Sequence, residues 1–134
     1  MNLPDSDAAL RGWLHALTPV TALVAQRSFF AMPKQDTPVL PFIVFYRVAG
    51  VPDEHGQDYP DYIFECWGVN KHAASQLALT LAGVIIDENS YRPNPIYAGV
   101  RIKAGRINAG PVQNSGTGNA KRYRLDATFH MCSV

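Results

Sequence analysis

The chain has 134 residues, of which 47% are hydrophobic and 17% charged, and its formal net charge is +1. This length fits a single domain, residues 1–134, with a core large enough to need no covalent or metal staple. The near-neutral balance gives no overall field that would attract nucleic acid or a membrane. The charged fraction is below the ~25% usual for soluble domains, as in a chain that hides part of its surface in an assembly.

The cysteine and histidine pattern predicts no metal or cofactor site. Two cysteines and four histidines occur without Cys-x-x-Cys or His-x-x-x-His pairing, so no structural zinc is expected.

The first ten residues lack a basic leader followed by an apolar core, which argues against a secretory signal. The longest apolar run, 77–86, is about half of the ~20 residues that a membrane span requires. We therefore expect a soluble protein made in a reducing cytoplasm.

The N-terminal third predicts two helices and an extended segment. Residues 5–17 place their apolar side chains on one stripe, with Asp5 or Ser6 available as the cap. Thr18-Pro19 ends this helix, and residues 19–27 begin a second, shorter one. Residues 31–41 contain three prolines, which should keep this segment extended and outside a central sheet.

Two strands joined by a turn-rich loop are predicted over residues 42–68. In residues 42–50 the alternation separates two sets of side chains: Phe42, Val44, Tyr46 and Val48 on one face, Ile43, Phe45 and Arg47 on the other. In residues 61–68 it separates Tyr62, Phe64 and Cys66 from Ile63, Glu65 and Trp67. The connecting residues 51–60 complete a long-looped hairpin.

The C-terminal half predicts one long helix and two more strands. Asn70 can cap a helix over residues 71–88. Strands follow over residues 98–107 and 121–132, with a connection of loop-like composition at 108–120. From residue 100 onward a single acid, Asp126, accompanies six basic residues: Arg101, Lys103, Arg106, Lys121, Arg122 and Arg124.

The resulting element order is ααββαββ, without internal repeats or heptads. Because hairpins rather than helical crossovers join most of the strands, the sheet should be mainly antiparallel. We predict an α+β domain with a four-stranded sheet and two main helices packed on one face.

Cys66 could be a nucleophile, since a helix begins about four residues after it and His72 is near in sequence. A reactive thiol needs a nearby cation, helix N-terminus or histidine that lowers its pKa. The strand alternation, however, places Cys66 with Tyr62 and Phe64 on a core-facing surface, where cysteine packs as a small hydrophobe. The core interpretation is preferred, and no catalytic residue is predicted.

Acidic residues concentrate in the loop over 51–60, where Asp53, Glu54, His55, Asp58 and the adjoining Asp61 occur. They could bind a divalent ion, remain a solvated loop, or contact a partner subunit. The basic residues of the last two strands could meet phosphates, but exposed aromatics and a recognition helix are missing from the pattern. No phosphate loop or Gly-x-Ser-x-Gly elbow is present. No specific nucleic-acid binding is predicted.

The predicted outer sheet face is unusually apolar, with Ile43, Phe45, Ile63 and Trp67 turned away from the helices. A contiguous patch of this kind marks an interaction surface. Either the 29–41 segment covers it or another subunit does. The candidate subunit-interface residues are Ile43, Phe45, Arg47, Ile63, Glu65 and Trp67.

The ordered sequence resembles the phage tail-completion, or tail-terminator, family. The likeness rests on "ALRGWLHALTPVTALVAQRSFF", "PVLPFIVFYRVAG", "IFECWGVNKHAASQLALTLAGVI" and "YRLDATFHM", in this order. It covers about residues 8–131. The connections at 89–97 and 108–120 follow no pattern of the family.

The resemblance implies a structural virion protein and no enzyme. Such proteins form a ring, commonly hexameric, that caps the tail tube, stops its polymerisation and joins the head connector or neck protein; DNA passes through its lumen. The implied partners are further copies of the chain, the tail tube protein and the connector, and the implied location is the virion, assembled in the cytoplasm of a bacterial host. Loop residues expected at such contacts are Asp53, Glu54, His55, Asp58, Asn114 and Lys121.

Two other functions remain open. A small-ligand-binding or other oligomeric interaction module of α+β fold would need a lined cavity within one subunit. A cysteine-dependent enzyme would need a thiol of low pKa.

Overall fold

The computed structural model describes residues 5–34, 38–114 and 121–134. The helices are α1 (Ser6–Ala16), α2 (Thr18–Val24) and α3 (Lys71–Ile86), followed by a 3-10 turn at Glu88–Tyr91. The predicted caps are present, because Asp5 accepts a hydrogen bond from the Ala8 amide at 3.1 Å and Asn70 accepts one from the Ala73 amide at 2.8 Å. These side-chain acceptors satisfy amides that have no partner inside the helix.

The strands form one mixed sheet. They are β1 (Ser28–Phe29), β2 (Phe42–Ala49), β3 (Gln57–Asp58), β4 (Asp61–Gly68), β5 (Ile96–Tyr97), β6 (Val100–Asn114) and β7 (Lys121–Ser133). Their order in the sheet is β1-β2-β4-β7-β6-β5, and β3 pairs with β7 beside this path. All pairs are antiparallel except β1 with β2, which is parallel.

The predicted four-stranded sheet with two main helices is therefore wrong. The sheet has seven strands of mixed direction, and the described chain has three α-helices. Strands β1, β3 and β5, which the prediction did not include, have two residues each. This is too short for any periodicity to show in the sequence. Strands β1 and β3 form because distant strands supply their hydrogen bonds, whereas β5 pairs with the start of β6 across a tight turn.

The last hairpin also differs from its prediction. Strand β6 runs for 15 residues, to Asn114, through most of the segment of loop-like composition. Pairing with β7 continues as far as Asn114 opposite Arg122, with irregularities after Ile102, Ile107 and Ala109. Residues 115–120, the rest of the predicted connection, lie outside the described residues.

The main core lies between the helices and one face of the sheet. Trp13 of α1 stacks on Tyr91 at 5.3 Å between ring centroids and meets the edge of Phe129 at 5.6 Å. Strand β4 reaches α3 through Gly68, where a Cβ would collide with the backbone nitrogen of Ala74. Glycine is therefore required at this close approach of strand and helix.

Candidate interaction surfaces

The register of β2 and β4 decides which predicted interface residues reach the surface. Ile43 pairs with Cys66 and Phe45 with Phe64, so they share the helix-facing side of the sheet. Both are completely buried in the main core. Their predicted outward orientation is wrong, because alternation defines two faces of a strand without saying which one the helices cover.

The opposite face of the sheet carries a second apolar cluster of Phe42, Val44 and Trp67. The ring planes of Phe42 and Trp67 are 15° apart, with their centroids separated by 5.8 Å. Phe29 and Leu40 pack against the cluster, and only 4% of Trp67 is exposed. Phe29 and Leu40 both belong to the 29–41 segment that the sequence suggested as a cover, and within one subunit they cover part of this cluster.

Polar groups surround this second cluster and converge on Glu65. The Glu65 carboxylate accepts hydrogen bonds from the Tyr46 hydroxyl at 3.2 Å and the Trp67 indole at 3.4 Å. Arg122 forms an ion pair with it at 3.5 Å and lies 5.3 Å from the Trp67 ring. Partial burial, followed by the charge of Glu65, raises the pKa of Tyr46. Glu65 thus holds the outer-face side chains in place within one subunit, and the nearby Ile63 is also buried.

Arg47 and Asp58 contact each other within the chain. The Arg47 guanidinium donates two hydrogen bonds of 2.7 Å to the Asp58 carboxylate. Asp58 is fully buried, and the hydrogen bonds to it raise the pKa of Arg47 above its usual value. Arg47 was expected at a subunit interface and Asp58 in a partner-contact loop, whereas the structure brings them together. This bidentate pair fixes the loop that ends in β3.

The same ion pair extends into the start of α1. Arg47 also donates to the Ser6 hydroxyl at 3.0 Å, and Ser6 is 2.8 Å from the Tyr62 hydroxyl. Tyr62 donates to Asp7 at 2.5 Å. Burial raises the pKa of Tyr62. This partly buried network, whose members all have partners, is a rigid link between β2, β4 and the first helix.

The remaining loop candidates are at the surface. Asp53 accepts hydrogen bonds from the amides of His55 and Gln57, both at 2.8 Å, and so builds the turn before β3. Glu54 and His55 are exposed and 3.6 Å apart. Among the described residues, no group of three histidine, cysteine, aspartate or glutamate side chains could hold a metal ion.

Two candidates lie at the end of the β6–β7 hairpin. Lys121 is exposed and pairs through its backbone with Gly68. Asn114 pairs through its backbone with Arg122 in the β6–β7 ladder. The sequence had placed Asn114 in a loop.

Cys66 is a core residue, which confirms the interpretation preferred from its position in the strand. It is completely buried within the main cluster. Burial, and then the charge of Glu65, raises the pKa of its thiol, which opposes nucleophilic chemistry. His72 is exposed on α3 and lies on the surface rather than in the core.

An open cavity of about 380 Å³ lies across β6 and β7 beside Tyr59. Its wall includes Tyr59 and His130, whose rings stack at 4.5 Å. His130 is 2.7 Å from the Gln57 amide oxygen. Partial burial, followed by the charge of Lys103, lowers the pKa of His130. Because these rings contact each other and His130 is bound to Gln57, the cavity does not resemble a site with several polar groups converging on a ligand.

The exposure of β6 was not predictable from its residue pattern. Beyond Ile102 its exposed residues are Lys103, Ala104, Arg106, Asn108, Ala109, Gly110, Val112 and Gln113. Tyr46 and Val48, on the outer face of β2, are 37% and 53% exposed. Strand β6 continues to Asn114, past the predicted end at residue 107, and this extension could have been suspected only from the clear alternation of its partner β7. No helix among the described residues is long and apolar enough to cross a membrane.

These features define a mixed-sheet domain with helices over one face and two partly open sheet edges. No protein-family model matches the sequence, and no curated protein does. Among solved structures, the fold is similar to a chain of a "virion of native gene transfer agent (GTA) particle". The TM-score is 0.67 at 14% identity, over 94% of this chain and 93% of that chain. At this identity the likeness concerns the fold.

Proposed function

We propose that this protein is a structural component of a phage-like virion. It forms a ring at the head-proximal end of the tail tube, terminates tail polymerisation and joins the tail to the head connector. The observation that carries the proposal is the fold shared over 94% of the chain with a chain of a gene transfer agent virion. The ordered sequence resemblance to tail terminators independently points to the same class of particle.

The distribution of charge suits a ring of identical subunits. From residue 100 onward there are six basic residues and one acid, whereas residues 1–99 contain six basic residues and ten acids. In a ring, each subunit presents two different surfaces to its two neighbours. Where these segments reach different edges of the subunit, with Lys103 and Arg106 exposed on β6 and Asp53 and Glu54 exposed after β2, the opposite charges favour this head-to-tail contact over a symmetric pairing of like surfaces.

The proposed role requires no catalysis. The thiol that first suggested a nucleophile is buried and has a raised pKa. The buried carboxylate of Asp58 is paired with Arg47. Both groups therefore support the fold, and the proposed partners are copies of this chain, the tail tube protein and the connector.

The test is deletion of the gene from a particle-producing strain, followed by electron microscopy of the tails. Loss of termination should give tails of excessive length that lack heads, and the wild-type gene supplied in trans should restore normal particles. Tails of normal length that fail to join heads would support joining without termination. Normal, infectious or transducing particles would contradict the proposal.

A further inference from the structure

Two edges of the sheet lack strand partners over part of their length. Strand β5 pairs with β6 at Val100 and Arg101, and Pro95 accepts a hydrogen bond from the Ile102 amide. Beyond Ile102, no strand in the described ranges pairs with β6 on the side away from β7. At the other edge, β1 pairs with β2 only at Ile43 and Val44.

Each open stretch contains a short run of regular register next to an irregularity. On β6 the register with β7 is continuous from Ala104 to Ile107, between two irregularities. On β2, Phe45 is still completely buried, and the accessible residues run from Tyr46 to Ala49, with an irregularity between Arg47 and Ala49. Irregularities and charged residues prevent indiscriminate pairing along an edge. They leave about one short strand length free on each side.

We propose that the open edge of β6 (Lys103–Ala109) pairs with the open edge of β2 (Tyr46–Ala49) of a second copy of this chain. The inference rests on the proposed ring and names its contact. One free edge of each kind per subunit gives a head-to-tail interface, which can close into a ring. Pairing would satisfy backbone groups that otherwise face solvent.

Strand direction agrees with this contact. Strands β2 and β4, β4 and β7, and β7 and β6 are each antiparallel, so β2 and β6 of one subunit run in opposite directions. Rotation about an axis parallel to the strands keeps these directions. The β2 strand of the neighbour therefore meets β6 in antiparallel orientation, which gives favourable inter-strand hydrogen bonds.

Charge complementarity favours a second copy as the occupant. Lys103 and Arg106 are exposed on β6, and Asp53 and Glu54 are exposed in the loop that follows β2. Exposed pairs add little affinity, but opposite charges direct the approach and fix the register. Tyr46, beside the β2 edge, adds apolar area to an interface that needs about 1,000 Å².

The first test is cross-linking of particles that contain variants with two added cysteines. Val48→Cys/Ala104→Cys places one thiol at each edge, and a flexible bismaleimide tolerates a shift in register. Val48→Cys/Leu79→Cys is the matched control, because Leu79 is 60% exposed on α3. The native thiols, Cys66 and Cys132, are buried.

We expect the edge variant to give a ladder of covalent multimers and the control to give none. If particles contain the Val48→Cys/Ala104→Cys variant but give no ladder, the contact between β2 and β6 is overturned, whereas the proposed ring itself is not. A covalent adduct with a different protein would show that another partner covers the edge. If the wild-type protein is absent from purified particles, the proposed function is refuted, and the proposed contact between β2 and β6 is refuted together with it.

A second test exchanges charges between the two edges. Glu54→Lys and Arg106→Glu should each weaken assembly by about two- to five-fold, and the double variant should recover part of this loss. Lys71→Glu, exposed on α3, is the control and should have no effect. Strictly additive losses in the double variant would contradict a contact between the two edges.

Discussion

Arg47 and Asp58 form a bidentate ion pair with two 2.7 Å contacts, closed inside one subunit. Arg47 comes from the exposed half of β2, whereas Asp58 is a fully buried residue of the short strand β3. The pair connects the hairpin loop to the sheet and, through Ser6, to the first helix. A loop that could have been mobile is thereby fixed at its base.

Arg47→Met should lower the free energy of unfolding by about 3 kcal/mol, because it leaves a buried carboxylate without its partner. Urea titration followed by circular dichroism measures this change. Arg124→Met is the matched control, since its pair with Asp126 is more exposed and should contribute less than about 1 kcal/mol. Equal losses in the two variants would show that the Arg47 pair has no special role.

Trp67→Ala should destabilise the isolated subunit by about 3–5 kcal/mol, the usual range for truncation of a buried tryptophan. The reason is the loss of its stacking on Phe42 and of its packing in the second cluster. Chemical denaturation of the monomer is the measurement. If the variant keeps its stability and fails only in assembly, Trp67 is a subunit contact and not a core residue.

Tyr46→Ala, on the same sheet face, is the contrasting variant. Tyr46 is 37% exposed, and its loss should cost less than about 1 kcal/mol of monomer stability. Incorporation into particles, measured by quantitative blotting, should fall instead, because Tyr46 lies beside the proposed β2 contact. Normal incorporation would remove Tyr46 from the interface.

Cys66 should resist thiol reagents in the native protein. In a Cys132→Ala background, its labelling should be at least about a thousandfold slower than that of a free thiol, because reaction requires unfolding. Labelling followed by mass spectrometry across a urea series checks this expectation. Fast labelling without denaturant would indicate an accessible thiolate and revive the cysteine-enzyme hypothesis.

The free energy of unfolding should decrease above about pH 9. Burial raises the pKa of Cys66 from an ordinary 9.0, and those of Tyr62 and Tyr91 from an ordinary 10.0. Below pH 9 the folded and unfolded states both retain these protons. Above it the unfolded state releases them first, so each group lowers stability by up to ~1.4 kcal/mol per pH unit.

Cys66→Ala and Tyr62→Phe provide the controls for this pH dependence. Each variant removes one titrating group, so the slope of stability against pH should become shallower above pH 9 or 10 respectively. Thermal unfolding at fixed ionic strength measures the slopes. Slopes unchanged from the wild type would assign the alkaline loss to other groups.

Strand β2 shows where sequence reasoning stops. Its alternation correctly separated Ile43 and Phe45 from Phe42 and Val44, but all four are buried. Hydrophobicity therefore could not indicate which pair faces the helices. Pairing with β4 decides it, since Ile43 lies opposite Cys66 and Phe42 lies opposite Trp67.

The residue pattern alone was enough to predict the local elements: the capped helices α1 and α3, the strands β2, β4 and β7, and the inward position of Cys66. These follow from side-chain periodicity and capping, which act over a few residues. Only the tertiary structure showed the short strands, the length of β6, the packing over Trp67 and the ion pair between Arg47 and Asp58. Apart from β5, which pairs with residues only three to five positions away, each depends on a partner distant in the chain, because two-residue strands and buried charges are stable only when a partner supplies their hydrogen bonds.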